Sequence, residues 1–356
     1  MFCQVSFSNV LFIGLGGAGQ RHLRIFRQLL PESALFSAYR SSSATPLLRP
    51  DFSVDEHNTV ESAYGLKTFE SLKSAFESSP DLTVISTPTA FHRQPMFMAM
   101  EAGSGVLVEK PWAENLDGFA EFAHGMRIKK LPFLISFQRR FHPLIARACQ
   151  MVKSGVIGCP IAASFTVYSN VPSWHQYEDW RNLYAVRQDF GGGVLLTEIH
   201  ELDLAYWFFG VPDAVFCVGG NRGKEKLGVE DTVQMTLLYQ NFSVHITLCF
   251  MHKKTSRSFH IAGSEGNIVW NEEGNQLTVT PFGNTPEIFV EPGYSNDSMF
   301  MAQANYFLKS WKESDTNESL RAAEVSLVIV DAARRSMLSK QAEAVVLEYV
   351  NKDKKA

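Results

Sequence analysis

A chain of 356 residues, 45% apolar and 20% charged, is long for one average domain and suits two soluble ones, each able to bury a core. A formal charge of −4 supplies neither the basic footprint that nucleic acid requires nor a polybasic membrane anchor. The five cysteines, Cys3, Cys149, Cys159, Cys217 and Cys249, are scattered without a CxxC pair, which argues for reduced thiols in the cytoplasm and against a zinc site.

The opening MFCQVSFSNVLFIGLGG lacks the basic region of a signal peptide, since the first cation is Arg21. The uncharged run from Leu204 to Pro212 is too short to span a bilayer. Residues 5–13 read as an apolar strand, followed by the glycine loop GLGGAG. Residues 20–30 read as a helix with Leu23, Phe26 and Leu30 on one face. Strands are then expected over 35–39, 82–86, 105–109 and 132–137, and helices over 68–78, 91–102 and 115–129. Alternation at crossover spacing implies a parallel, doubly wound α/β sheet over residues 1–137.

Beyond about residue 140 the pattern changes. A helix is expected over 143–153, and GGGVLLTEIHELDLAYWFFG (191–210) reads as three glycines followed by one helix. Alternating runs follow at 214–219, 231–239, 243–251, 257–262, 267–270 and 276–280, then helices at 299–312 and 319–338. This suits an α+β domain over 138–356 with a mostly antiparallel open sheet, one face under helices. The other face is free for a second subunit, so a homodimer or homotetramer is expected.

GLGGAG matches G-x-G-x-x-G in the strand-to-helix context that a dinucleotide requires. Gly14 permits the turn, Gly16 lets the backbone approach a pyrophosphate, and Gly19 lets the helix pack on the sheet; Gly17 and Ala18 are expected to contact the cofactor with them. About 20 residues further on, an NAD site places Asp or Glu on the ribose 2′-hydroxyl. Here Tyr39, Arg40, Ser41, Ser42 and Ser43 stand there, with no carboxylate between Glu32 and Asp51. Arginine with hydroxyls suits a 2′-phosphate, favouring NADP over NAD. STPTAFH (Ser86, Thr87, Pro88 to His92) and VEKPW (Glu109, Lys110, Pro111) follow two further strands, at the carboxyl edge where ligands bind.

The ordered set GLGGAG, TPTAFH, EKP and GGG…H with an Asp three residues later resembles the glucose–fructose oxidoreductase / inositol dehydrogenase (Gfo/Idh/MocA) family over almost the whole chain. The resemblance implies a Rossmann domain, a sheet-containing second domain, and NAD(P)-dependent redox chemistry on a sugar, polyol or related carbonyl. The family's catalytic lysine and histidine match Lys110 and His200. The acid that the family commonly carries four residues before the histidine falls on Leu196, or on Thr197 when counted from the glycines. Thr197, Glu198 and Asp203 are the candidates to support His200 in its place.

On a single helix Thr197, His200, Asp203 and Trp207 share a face. His200 is expected to take the substrate proton, Lys110 to hold the same oxygen, and Asp203 to orient the imidazole. The triple glycine is expected to leave room for cofactor or substrate. Substrate contacts are expected from Arg139 and from Trp174, Trp180 and Arg181 in the loop 171–187, whose aromatic rings and charges suit a sugar-like small molecule. No metal spacing is present. A non-catalytic NADP-binding sensor or scaffold is the alternative; a methyltransferase would leave EKP and GGG…H unexplained.

Overall fold

The computed structural model describes residues 8–41, 45–175, 177–309, 311 and 316–349. In the first half, β1 (Asn9–Ile13), α1 (Gly17–Leu29) and β2 (Leu35–Tyr39) are followed by a short hairpin, β3 (Leu47–Leu48) and β4 (Val54–Asp55). Then come α2 (Val60–Tyr64), β5 (Lys67–Phe69), α3 (Leu72–Phe76), β6 (Leu82–Ile85), α4 (Arg93–Glu101), β7 (Gly105–Glu109), α5 (Phe119–Ile128) and β8 (Phe133–Ser136). The sheet order is β5-β2-β1-β6-β7-β8, all parallel. Its strands are nearly all-buried runs such as Leu82–Ile85, as expected for a sheet covered on both faces. The order reverses between β1 and β6. The loops after those strands therefore diverge and leave a crevice at their carboxyl ends.

Two expected helices are shorter than their sequence windows. Residues 68–78 divide into strand β5 and helix α3, because Ser71 caps α3 through the Ser74 amide and Thr68 pairs with Ala38. The 115–129 window becomes helical only at Phe119, after Gly118 at φ 78°.

The second half holds α6 (Pro143–Lys153), β9 (Pro160–Asn170), α7 (Val194–Thr197), α8 (His200–Phe209), β10 (Ala214–Gly220), β11 (Thr232–Leu238), β12 (Ser243–Cys249), β13 (Met251–Gly263), β14 (Gly266–Asn271), β15 (Gln276–Pro281) and β16 (Glu287–Val290). Helices α9 (Asn296–Lys309) and α10 (Thr316–Ser339) and strand β17 (Glu343–Ala344) complete it. The second sheet runs β16-β15-β14-β13-β9-β12-β11-β10-β17 and is antiparallel apart from the β9–β12 pair. Strand β9 at its centre has no counterpart among the expected strands. Its inward positions are Ala163, Phe165, Val167 and Ser169, and two small residues of four make a weak apolar alternation. Helices α6, α8 and α10 cover one face. Helix α9 returns to the first sheet, where Met299, Phe300 and Phe307 join Leu23 and Phe26 in one core.

The segment 191–210 is two helices and not one. α7 ends at Thr197, Glu198 leaves helical geometry at φ −96°, ψ 31°, and α8 starts at His200. The break leaves the Thr197 carbonyl without a partner in its own helix, and Lys110 takes it. The three glycines are required by crowding. A Cβ on Gly192 would lie 2.4 Å from the Tyr184 carbonyl oxygen, and Gly193, at φ +107°, would meet Glu230 at 2.5 Å. Close packing against neighbouring backbone and Glu230, and not room for a ligand, accounts for them.

Candidate functional site

The glycine loop is built by backbone geometry. Gly14 adopts φ 85° and its amide donates to the Tyr39 carbonyl at 3.0 Å, joining the ends of β1 and β2. Gly19 packs so tightly that a Cβ would come within 2.4 Å of both the Gly14 carbonyl oxygen and Ser86 Oγ. Around Gly16 nothing lies within 4 Å of where a Cβ would be. Gly16 caps α1 without any side-chain hydrogen bond, and the first turn carries no acid. The first-turn amides of a helix lack intrahelical partners and favour an anion, and the space beside Gly16 leaves room for one to approach. A pyrophosphate fits this cradle.

A cavity of about 510 Å³ runs from this loop along the crevice. Gly14, Gly16, Gly17 and Ala18 form one end with Arg40 and Ser41; Ser86, Thr87 and Pro88 form the floor; Glu109 and Lys110 form the far end. Trp174, His175, Tyr177 and Glu178, from the loop after β9, make the outer wall. The Tyr177 hydroxyl lies 3.8 Å from where a Cβ on Gly17 would be. Tyr39 contributes its carbonyl rather than its ring, and Ser42 and Ser43 lie outside the described residues.

His92 does not line the cavity. It is buried, with Nδ1 2.9 Å from the Pro111 carbonyl and Nε2 2.8 Å from that of Thr87. It ties the TPT and EKP loops together. Two carbonyl acceptors would suit a doubly protonated ring, but burial holds its pKa below the ordinary histidine value. Glu109 is gripped in the same way, accepting from His22 at 2.7 Å and Ser136 at 3.1 Å. Burial alone would raise its pKa; the His22 bond and the nearby Lys110 charge hold it below the usual carboxylate range.

Lys110 Nζ donates to the Thr197 carbonyl at 2.6 Å, which brings the EKP and GGG…H segments together. His200 lies beyond, buried and off the cavity lining. Its Nε2 is 3.4 Å from the Gln138 amide nitrogen. Its Nδ1 and the Thr197 hydroxyl are buried atoms that lack a partner among the described residues. Burial first, and then the charges of Lys110, Arg139 and Arg257, hold the His200 pKa well below 6.5, so the ring is neutral.

Asp203 does not orient this imidazole. Its carboxylate is held by Arg140 in a two-point pair at 2.6 and 2.9 Å. Burial pushes it up to about 6 even against that pull. The break after Thr197 also removes the single helical face on which Thr197, His200, Asp203 and Trp207 were aligned. Glu198 accepts from Ser169 at 2.6 Å and from Arg257 at 2.7 Å, and Arg257 also pairs with Glu201. One guanidinium between two buried carboxylates splits them. Burial pushes Glu201 up to about 7, whereas Arg257 and Ser169 overcome burial at Glu198 and keep it low.

Of the expected substrate residues, Trp174 lines the cavity. Trp180 and Arg181 do not: Arg181 faces solvent over the Trp180 ring at 4.7 Å and pairs with Asp179. Arg139 is drawn away from the cavity to Glu272 at 3.2 Å. Residues that sequence reading passed over include Arg257, Phe52 beside Gly17, and Glu61, which pairs with Arg40 at 2.7 Å. Arg257 carried a legible signal. It shares strand parity with the buried Phe259 and Ile261, and an arginine on a buried face calls for carboxylates. No cluster of His, Cys, Asp and Glu suited to a metal occurs among the described residues.

Comparison with known proteins places this geometry. Residues 8–135 match the model of an oxidoreductase family with an NAD-binding Rossmann fold, and residues 145–269 match the Gfo/Idh/MocA C-terminal domain. An uncharacterized oxidoreductase of Streptococcus pneumoniae is 25% identical over 53% of this chain and 51% of its own length. Levoglucosan dehydrogenase of Pseudarthrobacter phenanthrenivorans is 24% identical over 74% of each chain. The chain thus spans about half the length of the first relative and about three quarters of the second. A solved levoglucosan dehydrogenase in complex with NADH shares the fold at TM-score 0.78 and 19% identity, covering 96% of this chain and 100% of that one. By the match of both its halves, the chain belongs to the Gfo/Idh/MocA oxidoreductase family.

Proposed function

We propose that the protein is an NAD(P)-dependent dehydrogenase or reductase that moves hydride between nicotinamide and a hydroxyl or carbonyl of a sugar, polyol or sugar derivative. One observation carries the reading: a single cavity links the anion-binding turn at Gly16 to Lys110, and Lys110 is bonded to the turn that presents His200. The name of the Pseudarthrobacter relative supports a sugar-like substrate.

A bound nicotinamide supplies the hydride acceptor or donor. Glycine-loop amides would hold the pyrophosphate, and Glu109, beside Lys110 in the cavity lining, would border the nicotinamide. Lys110 places a positive charge on the substrate oxygen and stabilises it as the proton leaves. His200, held neutral and set back from the cavity lining, is in the protonation state that a proton acceptor in oxidation needs. His92 positions the two loops that carry Thr87 and Lys110. Among the pyridine nucleotides, NADP is favoured, because Arg40 and Ser41 line the cavity beside the glycine loop and would meet the 2′-phosphate of an adenosine ribose there. The outer face of the second sheet joins subunits into a dimer or tetramer. The four described cysteines are free thiols, which suits the cytoplasm.

The test is titration with NADH and NADPH by nicotinamide fluorescence, then a sugar and polyol oxidation screen with Lys110→Ala and His200→Asn beside the wild type. Binding of a nucleotide, with turnover that both substitutions lower by about 10²-fold or more, is expected. Full turnover in both variants on a genuine substrate would refute the assignment.

A further inference from the structure

The adenosine end of the cavity contains a charge arrangement that the sequence window around Arg40 does not reveal. Gly14 is bonded to the Tyr39 carbonyl, so the residue after Tyr39 stands beside the glycine loop. Arg40 lines the cavity there, with its side chain only 9% exposed. Both its terminal nitrogens are already in use. Nη2 donates to the Thr45 carbonyl at 2.7 Å, and Nη1 donates to Glu61 at 2.7 Å. Glu61 comes from the first turn of α2, whose start is fixed by a reciprocal Thr59–Ser62 capping box. Its carboxylate is 32% exposed and does not line the cavity, so it stands behind the guanidinium.

We infer that Glu61 sets the cofactor specificity of this site: by holding Arg40 as an ion pair, it keeps the preference for NADP over NAD shallow. The inference rests on the reading of the cavity as a dinucleotide site. The carboxylate absent from the end of β2 is supplied here by α2, twenty-one residues after Arg40. It faces the arginine instead of a ribose hydroxyl. A 2′-phosphate arriving at Arg40 meets a cation whose charge is already balanced, and it carries its own negative charge towards Glu61. The guanidinium keeps further N–H donors for the ligand, so NADP is accepted. The Coulombic reward is small, and NAD, which brings no charge at the ribose 2′ position, is not penalised.

The test is a comparison of dissociation constants for NADPH and NADH in the wild type, Glu61→Gln, Arg40→Met and the double variant. Wild type should favour NADPH by less than about tenfold. Glu61→Gln should tighten NADPH by roughly three- to fivefold, the strength of a partly exposed ion pair, and leave NADH unchanged. In the Arg40→Met background the same substitution should have a clearly smaller effect, because only the direct repulsion between Glu61 and the 2′-phosphate is then relieved. An unchanged NADPH-to-NADH ratio in Glu61→Gln would overturn the inference. So would weaker NADPH binding, which would make Glu61 a support for Arg40 and not its competitor. Failure of the wild type to bind either nucleotide would instead overturn the dinucleotide reading.

Discussion

His200 carries the sharpest consequence at the scale of single residues. Its pKa lies well below 6.5 because the ring is buried and Lys110, Arg139 and Arg257 surround it, while the acids near it are committed elsewhere. A depressed pKa keeps the ring neutral, and so able to accept a proton, as pH falls through 6.5. The oxidation kcat/KM should therefore stay flat from about pH 8 down to about pH 6. A limb centred near 6.5 in the wild type that vanishes in His200→Asn would show that neither burial nor the cations depress the ring. Stability follows the same sign. Below pH 6.5 the unfolded chain binds a proton that the native ring refuses, so acid destabilises through this group. The motif spacing located His200 and Lys110, and the structure brings their segments within one hydrogen bond. The surroundings of His200 were not legible, since Gln138 lies 62 residues away and Arg257 meets Glu198 across 59.

At the scale of elements, the turn from β1 into α1 separates two roles that glycine plays in one loop. Gly16 has open space where a side chain would go and an ordinary φ of −71°. Gly19 is enclosed by Gly14 and Ser86. Gly16→Ala should leave the melting temperature nearly unchanged and weaken nucleotide binding, because the methyl group occupies the approach to the amides. Gly19→Ala should lower both, with overpacking costing about 1–3 kcal/mol. Thermal denaturation and nucleotide titration on the two variants check this; equal melting losses would mean the loop is crowded throughout. The strand–loop–helix order was readable because it is encoded within a few residues. The break between α7 and α8 was not: its sequence is helix-compatible, and Lys110 reaches it from 87 residues away.

At the scale of the whole molecule, the second sheet buries one face under α6, α8 and α10 and leaves the other open. Phe216 and Val218 on β10 are each 40% exposed there, and Val269 on β14 is 39% exposed. A subunit docked on this face would cover them. Replacing Phe216 and Val218 together with glutamate should dissociate the assembly, measured by light scattering on a sizing column, while the monomer's fold persists by circular dichroism. A wild type that runs as a monomer at micromolar concentration would remove the oligomer proposal.

Sequence by itself determined what rests on neighbours along the chain. This comprises the parallel α/β half, the glycine turn from β1 into α1, the positions of the TPT and EKP loops at strand ends, and the alternating strands of the second half. Periodicity and glycine placement act over one turn or one strand, so they survive in a linear reading. Only the tertiary structure decided the central place of β9, the capture of Asp203 by Arg140, the removal of Arg139, Trp180 and Arg181 from the cavity, and the pairing of Arg40 with Glu61. Each of these depends on which distant group satisfies a buried charge or an open strand edge. That choice is made by packing in three dimensions, because a buried polar group takes whatever partner the fold brings within about 3 Å.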